Sequence, residues 1–403
     1  MENRNVPKLR FKGFEAEWKK EKLGDFSEKI TRKNKGFKVK NVISNSAKNG
    51  LISQRDFFEK DIANKNNIDV YYIIKNGDFV YNPRKSNDAP YGPINKYKFI
   101  DDGVVSPLYF CFRINDKVNN EYLENYFKSS KWYKYIHMNS DQGARHDRVS
   151  IKDSEIMNMK IKLPSLEEQE KIANFLSNVD KIIEEQDLKV KDLELYKKGM
   201  MQKIFKQEIR FKDENGQDYP EWEEKKLGNI IEEPKKIKVE NPSEIELITV
   251  KLHCNGVKLT GKYPNDTKNG RPYYKRFIGE LMIGRQNMHN GGIGLVTDEC
   301  SGKIASNAIS SYVIRTSDNL KFIYLTLSNP SFYRKIDTLI GGTGQKEISK
   351  SEIESLKIRI PVIEEQTKIA NFLSNIDNII EEENKKLEDL RQWKKGLLQQ
   401  MFV

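Results

Sequence analysis

Two stretches of the chain repeat the same alternation of apolar and polar positions. Residues 164–205 and 361–402 align without a gap at an offset of 197, and 25 of the 42 positions are identical. With Ile172 as heptad position a, the a series runs Ile172, Val179, Gln186, Leu193, Met200 and the d series Phe175, Ile182, Lys189, Tyr196. Leu176, Ile183 and Val190 widen the stripe. The second copy gives Ile369, Ile376, Glu383, Leu390, Leu397 with Phe372, Ile379, Lys386, Trp393, and Leu373 and Ile380 widen it. This spacing predicts one long helix per copy, each with an apolar seam that needs a partner. One chain supplies both helices, so an intramolecular antiparallel pair is expected. About 38 helical residues make a rod of roughly 57 Å. Both seams are interrupted at the same layer, by Gln186 with Lys189 and by Glu383 with Lys386, and such polar layers commonly fix register. Ser165 and Glu168 predict a capping box just after Pro164.

The repeat extends beyond the rods. Arg10-Phe11-Lys12 recurs as Arg210-Phe211-Lys212, and Trp18 with Lys22-Leu23-Gly24 recurs as Trp222 with Lys226-Leu227-Gly228. Residues 119–136 and 319–336 align as amphipathic helices, and 150–164 matches 347–361. The expected order is a globule (1–163), a rod (164–206), a globule (207–360) and a rod (361–403). Between these anchors the halves diverge into short Val-, Ile-, Phe- and Tyr-rich runs bounded by Gly, Pro and Asn, which read as strands. The fold class is therefore α/β (α+β): two mixed domains with largely antiparallel or mixed sheets, separated by two long antiparallel coiled-coil helices in a pseudo-twofold internal repeat.

Charge adds a partner. The chain of 403 residues carries a net +11. Residues 1–163 alone hold +11 and each rod −2, so the cations lie on the globules. Basic globules on acidic rods suit a polyanion. No apolar run reaches transmembrane length and residues 1–11 contain no signal-like core, so no membrane is expected and a cytoplasmic setting is. Cys111, Cys254 and Cys300 form no CxxC pair, and four scattered histidines offer no metal spacing.

Catalytic signatures fail on inspection. Residues 256–262 look like a phosphate loop, but Tyr263 stands where Ser or Thr must reach magnesium. The glycines at 290–294 and 341–344 suit turns better than a dinucleotide fingerprint. Asn82-Pro83-Arg84-Lys85 is not a methyltransferase loop, and neither a nuclease constellation nor a helicase phosphate loop is present. What remains are polar, basic loops: Asn82, Arg84, Lys85 and Asn87, then Gln142, Arg145, His146 and Arg148, in the first globule. In the second they are Arg285, Gln286 and Asn287, then Gln345 and Lys346. Arg pairs bidentately with guanine, Asn and Gln with adenine, and Lys with phosphate. Such sets are candidate DNA contacts, although any one of them also reads as an ordinary solvated loop.

The chain closely resembles the specificity subunit of Type I restriction–modification enzymes over nearly its whole length. The resemblance rests on the two Pro-x-x-Glu-Glu-Gln-x-Lys-Ile-Ala-Asn-Phe-Leu starts (164–176, 361–373) and the Lys-Lys-Gly ends (197–199, 394–396). Tyr81-Asn82-Pro83-Arg84 and Gly103-Val-Val-Ser-Pro107 add to it. It implies two target recognition domains, each reading half of a bipartite, asymmetric DNA sequence, in a chain that is itself noncatalytic. It further implies two methyltransferase subunits docked on the rods, and ATP-driven motor-nuclease restriction subunits for cleavage. S-adenosylmethionine, ATP and magnesium are then expected on those partners, with no cofactor on this chain. The seam residues Ile172, Phe175, Leu176, Val179, Ile182, Ile183, Leu193 and Tyr196, with Ile369, Phe372, Leu373, Ile376, Ile379, Ile380, Leu390 and Trp393, would serve helix pairing and partner docking. A free-standing coiled-coil scaffold and a DNA-binding regulator are the competing readings.

Overall fold

The computed structural model describes residues 5–54, 65–141, 146–265, 272–339 and 347–403. It divides into two compact units, Met1–Leu188 with Asn384–Val403, and Lys189–Glu383. Each rod is one unbroken helix, Leu166–Phe205 and Ile363–Met401. Each unit thus holds one globule, the first half of one rod and the second half of the other.

In the first unit β1 (Lys19–Lys22) pairs with β10 (Lys160–Leu163), drawing both ends of the globule to the start of the first rod. A four-stranded sheet runs in the order β2 (Ser27–Lys29), β9 (Phe110–Ile114), β6 (Phe79–Tyr81), β7 (Ile94–Lys96). Two ribbons flank it, β3 (Ile43–Ser46) with β4 (Gly50–Ser53) and β5 (Tyr72–Ile74) with β8 (Gly103–Val105). The second unit repeats this strand for strand. β11 (Glu223–Lys226) pairs with β20 (Lys357–Ile360), and the sheet runs β12 (Ile231–Glu232), β19 (Ile309–Ile314), β16 (Leu281–Gly284), β17 (Ile293–Leu295). Its ribbons are β13 (Ile248–Val250) with β14 (Val257–Leu259) and β15 (Tyr273–Lys275) with β18 (Ile304–Ser306). All these ladders are antiparallel. The stretches whose sequences diverge most therefore share one topology.

The expected helix over 119–136 is two helices, Asn120–Lys128 and Tyr133–Asn139, and its counterpart is Leu320–Leu327 and Pro330–Leu339. In the first unit Ser129 Oγ and the Trp132 indole donate to the Tyr126 and Phe127 carbonyls, which closes the helix early. In the second, Pro330 lacks the N–H that continuation needs.

The rod-start motif is a clamp. Gln169 Oε1 accepts from Asn119 N at 2.9 Å while its Nε2 donates to the Pro164 carbonyl at 3.0 Å. Asn119 Oδ1 in turn caps the globule's helix by accepting from Tyr122 N. Gln366, Asn319, Pro361 and Phe322 repeat every bond. The buried second glutamate takes the Arg of Arg-Phe-Lys: Arg10 donates to both Glu168 oxygens at 2.8 Å, and Arg210 to Glu365 at 2.9 and 3.3 Å. Ser165 Oγ does accept from Glu168 N at 3.3 Å, but the carboxylate that a capping box would send back goes to Arg10.

The rods pair antiparallel within each unit. In the first, Phe175 meets Trp393 edge-on, Asp180 pairs with Lys394, and Asp187 with Arg391. In the second, Asp377 pairs with Lys197, and buried Glu383 with Lys189 at 3.0 Å, so the polar layer is an ion pair. The seam differs from the expected a/d stripe. Ile172, Leu176, Val179 and Val190 are buried, as are Ile369, Leu373, Ile376 and Leu397, and Ile183, Leu193, Ile380 and Leu390 are half-buried. Ile182, Tyr196, Ile379 and Trp393, expected in the seam, are 45–52% exposed. Neighbouring helix positions lie about 100° apart, and the rod turns the Leu176–Ile183 side inward because a globule covers that side too. Ile172, Leu176 and Val179 pack into one core with Trp18, Phe79, Tyr122 and Trp132, joined by Leu397, Met401 and Phe402 of the second rod. Ile369, Leu373, Ile376 and Ile204 do the same around Phe322 and Tyr312.

The passage from rod end to globule is also duplicated. Ile209 N donates to the Lys203 carbonyl at 3.4 Å, within continuous chain. In the first unit Leu9 N donates to the Gln400 carbonyl at 3.0 Å, with no peptide link between the two segments.

Candidate nucleic-acid interface

The loop after β6 is shaped by amides. Asn82 Nδ2 donates to the Asn45 carbonyl at 2.9 Å, and its Oδ1 accepts from Arg84 N at 3.0 Å. Asn45 donates to the Val80 and Pro93 carbonyls, and Asn95 to Asn45 Oδ1. Asn82 thus holds the loop through both ends of its amide, and it also lines the cleft that Arg84 and Arg148 share. The far end closes at Gly92, where φ is +81° and a Cβ would sit 2.0 Å from the Asn82 carbonyl oxygen. Gly92→Ala is expected to destabilise the first unit by about 1–3 kcal/mol of backbone strain plus the clash, and thermal unfolding of the variant reads this as a lower Tm.

Two of the candidate stretches come together. Residues 83–85 run antiparallel to 147–149, with Val149 N donating to the Pro83 carbonyl at 2.8 Å and Lys85 N to the Asp147 carbonyl at 2.9 Å. Arg84 and Arg148 therefore stand side by side and share the Asp147 carboxylate, at 4.0 and 3.6 Å. Arg84 remains 64% exposed, and such loose, exposed pairs hold their partners weakly. Both arginines line a cleft of about 200 Å³ with Asn82, Pro83, Ser106, Leu108 and Tyr109. Burial pushes the Tyr109 phenol above its ordinary value, so it lines the cleft as a neutral group. Lys85, Asn87 and His146 are exposed beside it. Gln142 and Arg145 lie outside the described residues. The lining residues Leu108 and Tyr109 were not anticipated from sequence, although the Gly103–Pro107 run, which contains Ser106, pointed next to them.

The second unit builds the same joint. Ile348 N donates to the Arg285 carbonyl at 3.2 Å, as Val149 does to Pro83. Arg285 itself is turned to Glu347, Nη2 to Oε1 2.9 Å, and is 20% exposed, so its guanidinium is engaged within the protein. Gln286 and Asn287 are exposed on the short helix Arg285–Asn290. Gln345 and Lys346 lie outside the described residues. The phosphate-loop lookalike at 256–262 is β14 and its turns. Among the described residues no group of three or more His, Cys, Asp or Glu could hold a metal ion, and no helix is long and apolar enough to cross a membrane.

Against known proteins, the family model for the Type I restriction modification DNA specificity domain matches twice, over residues 15–191 and 219–392. The chain is 30% identical over 290 residues to the MjaX type I restriction enzyme specificity subunit of Methanocaldococcus jannaschii, covering 69% of this chain and 65% of that one. It is 28% identical over 257 residues to the MjaVIII specificity subunit of the same organism, covering 60% of each. The matches thus span less than two thirds of those relatives' lengths. A chain from a study of complex assembly and conformational transition in the type I R-M system superposes with TM-score 0.56 at 15% identity, covering 96% of this chain and 97% of that one. The S subunit from M. genitalium gives 0.52 at 15% identity, covering 99% of both. These two likenesses are of fold.

Proposed function

Since the chain belongs to the Type I restriction–modification DNA specificity family and carries two copies of its domain, we propose that it is the noncatalytic specificity subunit of such a system. Each globule reads one half of a bipartite, asymmetric duplex sequence. Methyltransferase subunits dock on the rods and bring S-adenosylmethionine, and motor-nuclease subunits bring ATP and magnesium for cleavage, in the cytoplasm. The observation that carries this reading is the meeting of Arg84 and Arg148 at one cleft, through the backbone pairing of residues 83–85 with 147–149. An exposed guanidinium and a half-buried one on a shared carboxylate suit guanine edges and phosphates. Docking has its own support. Phe175, Ile182 and Trp393 leave one apolar strip on the rods of the first unit, and Phe372, Ile379 and Tyr196 leave its counterpart on the second. Exposed apolar rows of this kind mark partner surfaces.

The test is Arg84→Glu with Arg148→Glu, in a complex with methyltransferase subunits. Loss of about 1–3 kcal/mol of binding per contact is expected, with a shallower salt dependence. Unchanged affinity and salt slope would remove this cleft from the DNA path.

A further inference from the structure

We propose that the turn joining β13 to β14 is a DNA-reading element of the second globule, with His253 and Asn255 as its base-contacting side chains. The proposal rests on the DNA-binding role set out above and names residues that neither the family motifs nor the basic loops single out.

The backbone points to this turn. His253 and Cys254 are consecutive non-glycine residues at φ +57° and +56°. The left-handed region costs an L-residue about 1–2 kcal/mol, and strain of this kind persists where surrounding structure enforces it, often at functional sites. Here the enforcement is visible. His253 N donates to the Asn290 carbonyl and Cys254 N to the Gly291 carbonyl, both at 2.8 Å, and Lys251 N closes the turn on the Gly256 carbonyl at 2.9 Å. Tyr324 Oη and Cys254 Sγ hold the inner side, through the Cys254 and Ser328 carbonyls at 3.5 Å. The two segments touch backbone to backbone. A Cβ on Gly291 would lie 3.0 Å from Cys254 N, and one on Gly294 2.9 Å from Val257 N.

These contacts keep Cys254 half-buried and leave His253 and Asn255 exposed, next to the segment that carries Gln286, Asn287 and Asn290 on the surface. Residues 251–256 and 285–292 contain Lys251, Arg285, His253 and His289 but no Asp or Glu, in a chain with 59 acidic residues among 403. Glu347, on Arg285, is the carboxylate the described structure brings to these segments, and a surface rich in amides and imidazoles suits base edges and phosphates. The first globule places its own ribbon likewise, since Asn82 ties the loop after β6 to Asn45 of β3. In both halves the ribbon thus stands beside the loop that follows the central strand.

His253→Gly separates reading from folding. Glycine adopts positive φ freely, so the variant removes the imidazole while relaxing the backbone, and Tm should hold or rise. The full chain, in complex with methyltransferase subunits from its source, is mixed with a pool of random-sequence DNA duplexes. The wild type is expected to enrich a two-part sequence. His253→Gly should bind that duplex about 5–30-fold more weakly, the loss of one base contact of about 1–2 kcal/mol, and should relax the sequence in one part only. Asn255→Asp should weaken the same part. An unchanged enriched sequence and affinity in both variants would overturn the proposal while leaving the DNA role intact. An equal loss on every duplex would also overturn it, making the turn a phosphate contact. A wild type that enriches no sequence would overturn the DNA role itself, and this proposal with it.

Discussion

Replacing Glu365 by alanine should destabilise the second unit by about 3–5 kcal/mol, the cost of breaking a buried ion pair from one side. Glu365 is fully buried and takes Arg210 through two bonds and the Trp222 indole through a third, at 3.2 Å. Its removal strands the indole N–H and takes from Arg210 its buried counter-charge, leaving it Glu221 and the Tyr219 and Pro220 carbonyls. Denaturant unfolding of the wild type and of Glu365→Ala measures the loss. The double change Arg210→Met with Glu365→Leu should recover much of it, because apolar groups of similar size leave no charge unpaired. A loss below about 1 kcal/mol would mean that the clamp is decorative and that Gln366 with the apolar core seats the globule unaided.

The second large effect concerns Glu124, which is buried among Lys96, Lys98 and Lys128 at 3.5, 2.8 and 3.1 Å. Burial pushes its carboxyl up, but Lys128, Lys98 and Lys96 together outweigh that and hold it down at about 2. A depressed carboxylate adds stability that is complete above its unfolded value near 4.5 and is lost as pH falls from there towards 2. The span corresponds to about 3 kcal/mol. Stability of the first unit, followed by denaturant unfolding between pH 2 and 7, should therefore decline along an acid limb that Glu124→Gln largely flattens. That variant should also be less stable at neutral pH, because Lys96 is itself buried and loses its innermost counter-charge. An acid limb of equal depth in Glu124→Gln would assign it to other carboxylates.

The duplicated rods and the recurring Arg-Phe-Lys and Trp anchors were readable as sequence, because each acts over a few residues or repeats outright. The shared strand order of the globules was not. β6 and β16 are three and four residues long and pair with strands some 30 positions away, and no local pattern carries such pairings once Tyr81 has become Ile283 and Phe110 has become Ser310. In the seam the a positions Ile172, Val179, Ile369 and Ile376 are buried, and the d positions Ile182, Tyr196, Ile379 and Trp393 give way to their neighbours by one helix position. Ile182 and Ile183 are equally apolar, and only the globule packed on the Ile183 side decides between them. Arg84 and Arg148 stood out in the sequence as basic loop residues, but their meeting depends on a two-stranded contact across more than 60 residues. Asn82 shows the limit of reading by residue type, since an amide that can meet adenine can equally hold a loop closed.

The crossing between rod and globule exists in two versions. At Lys203–Ile209 it is spanned by peptide, and at Gln400–Leu9 by a hydrogen bond alone. The aromatic plug beneath is the same, Phe205 against Phe322 at 5.8 Å and Phe402 against Tyr122 at 5.2 Å. Covalent continuity at the first crossing adds effective concentration to contacts that the second crossing also makes. Packing and the buried Arg–Glu clasp do the fastening. A chain opened between Lys203 and Ile209 and joined between Gln400 and Leu9 is accordingly expected to hold the same parts in the same embrace.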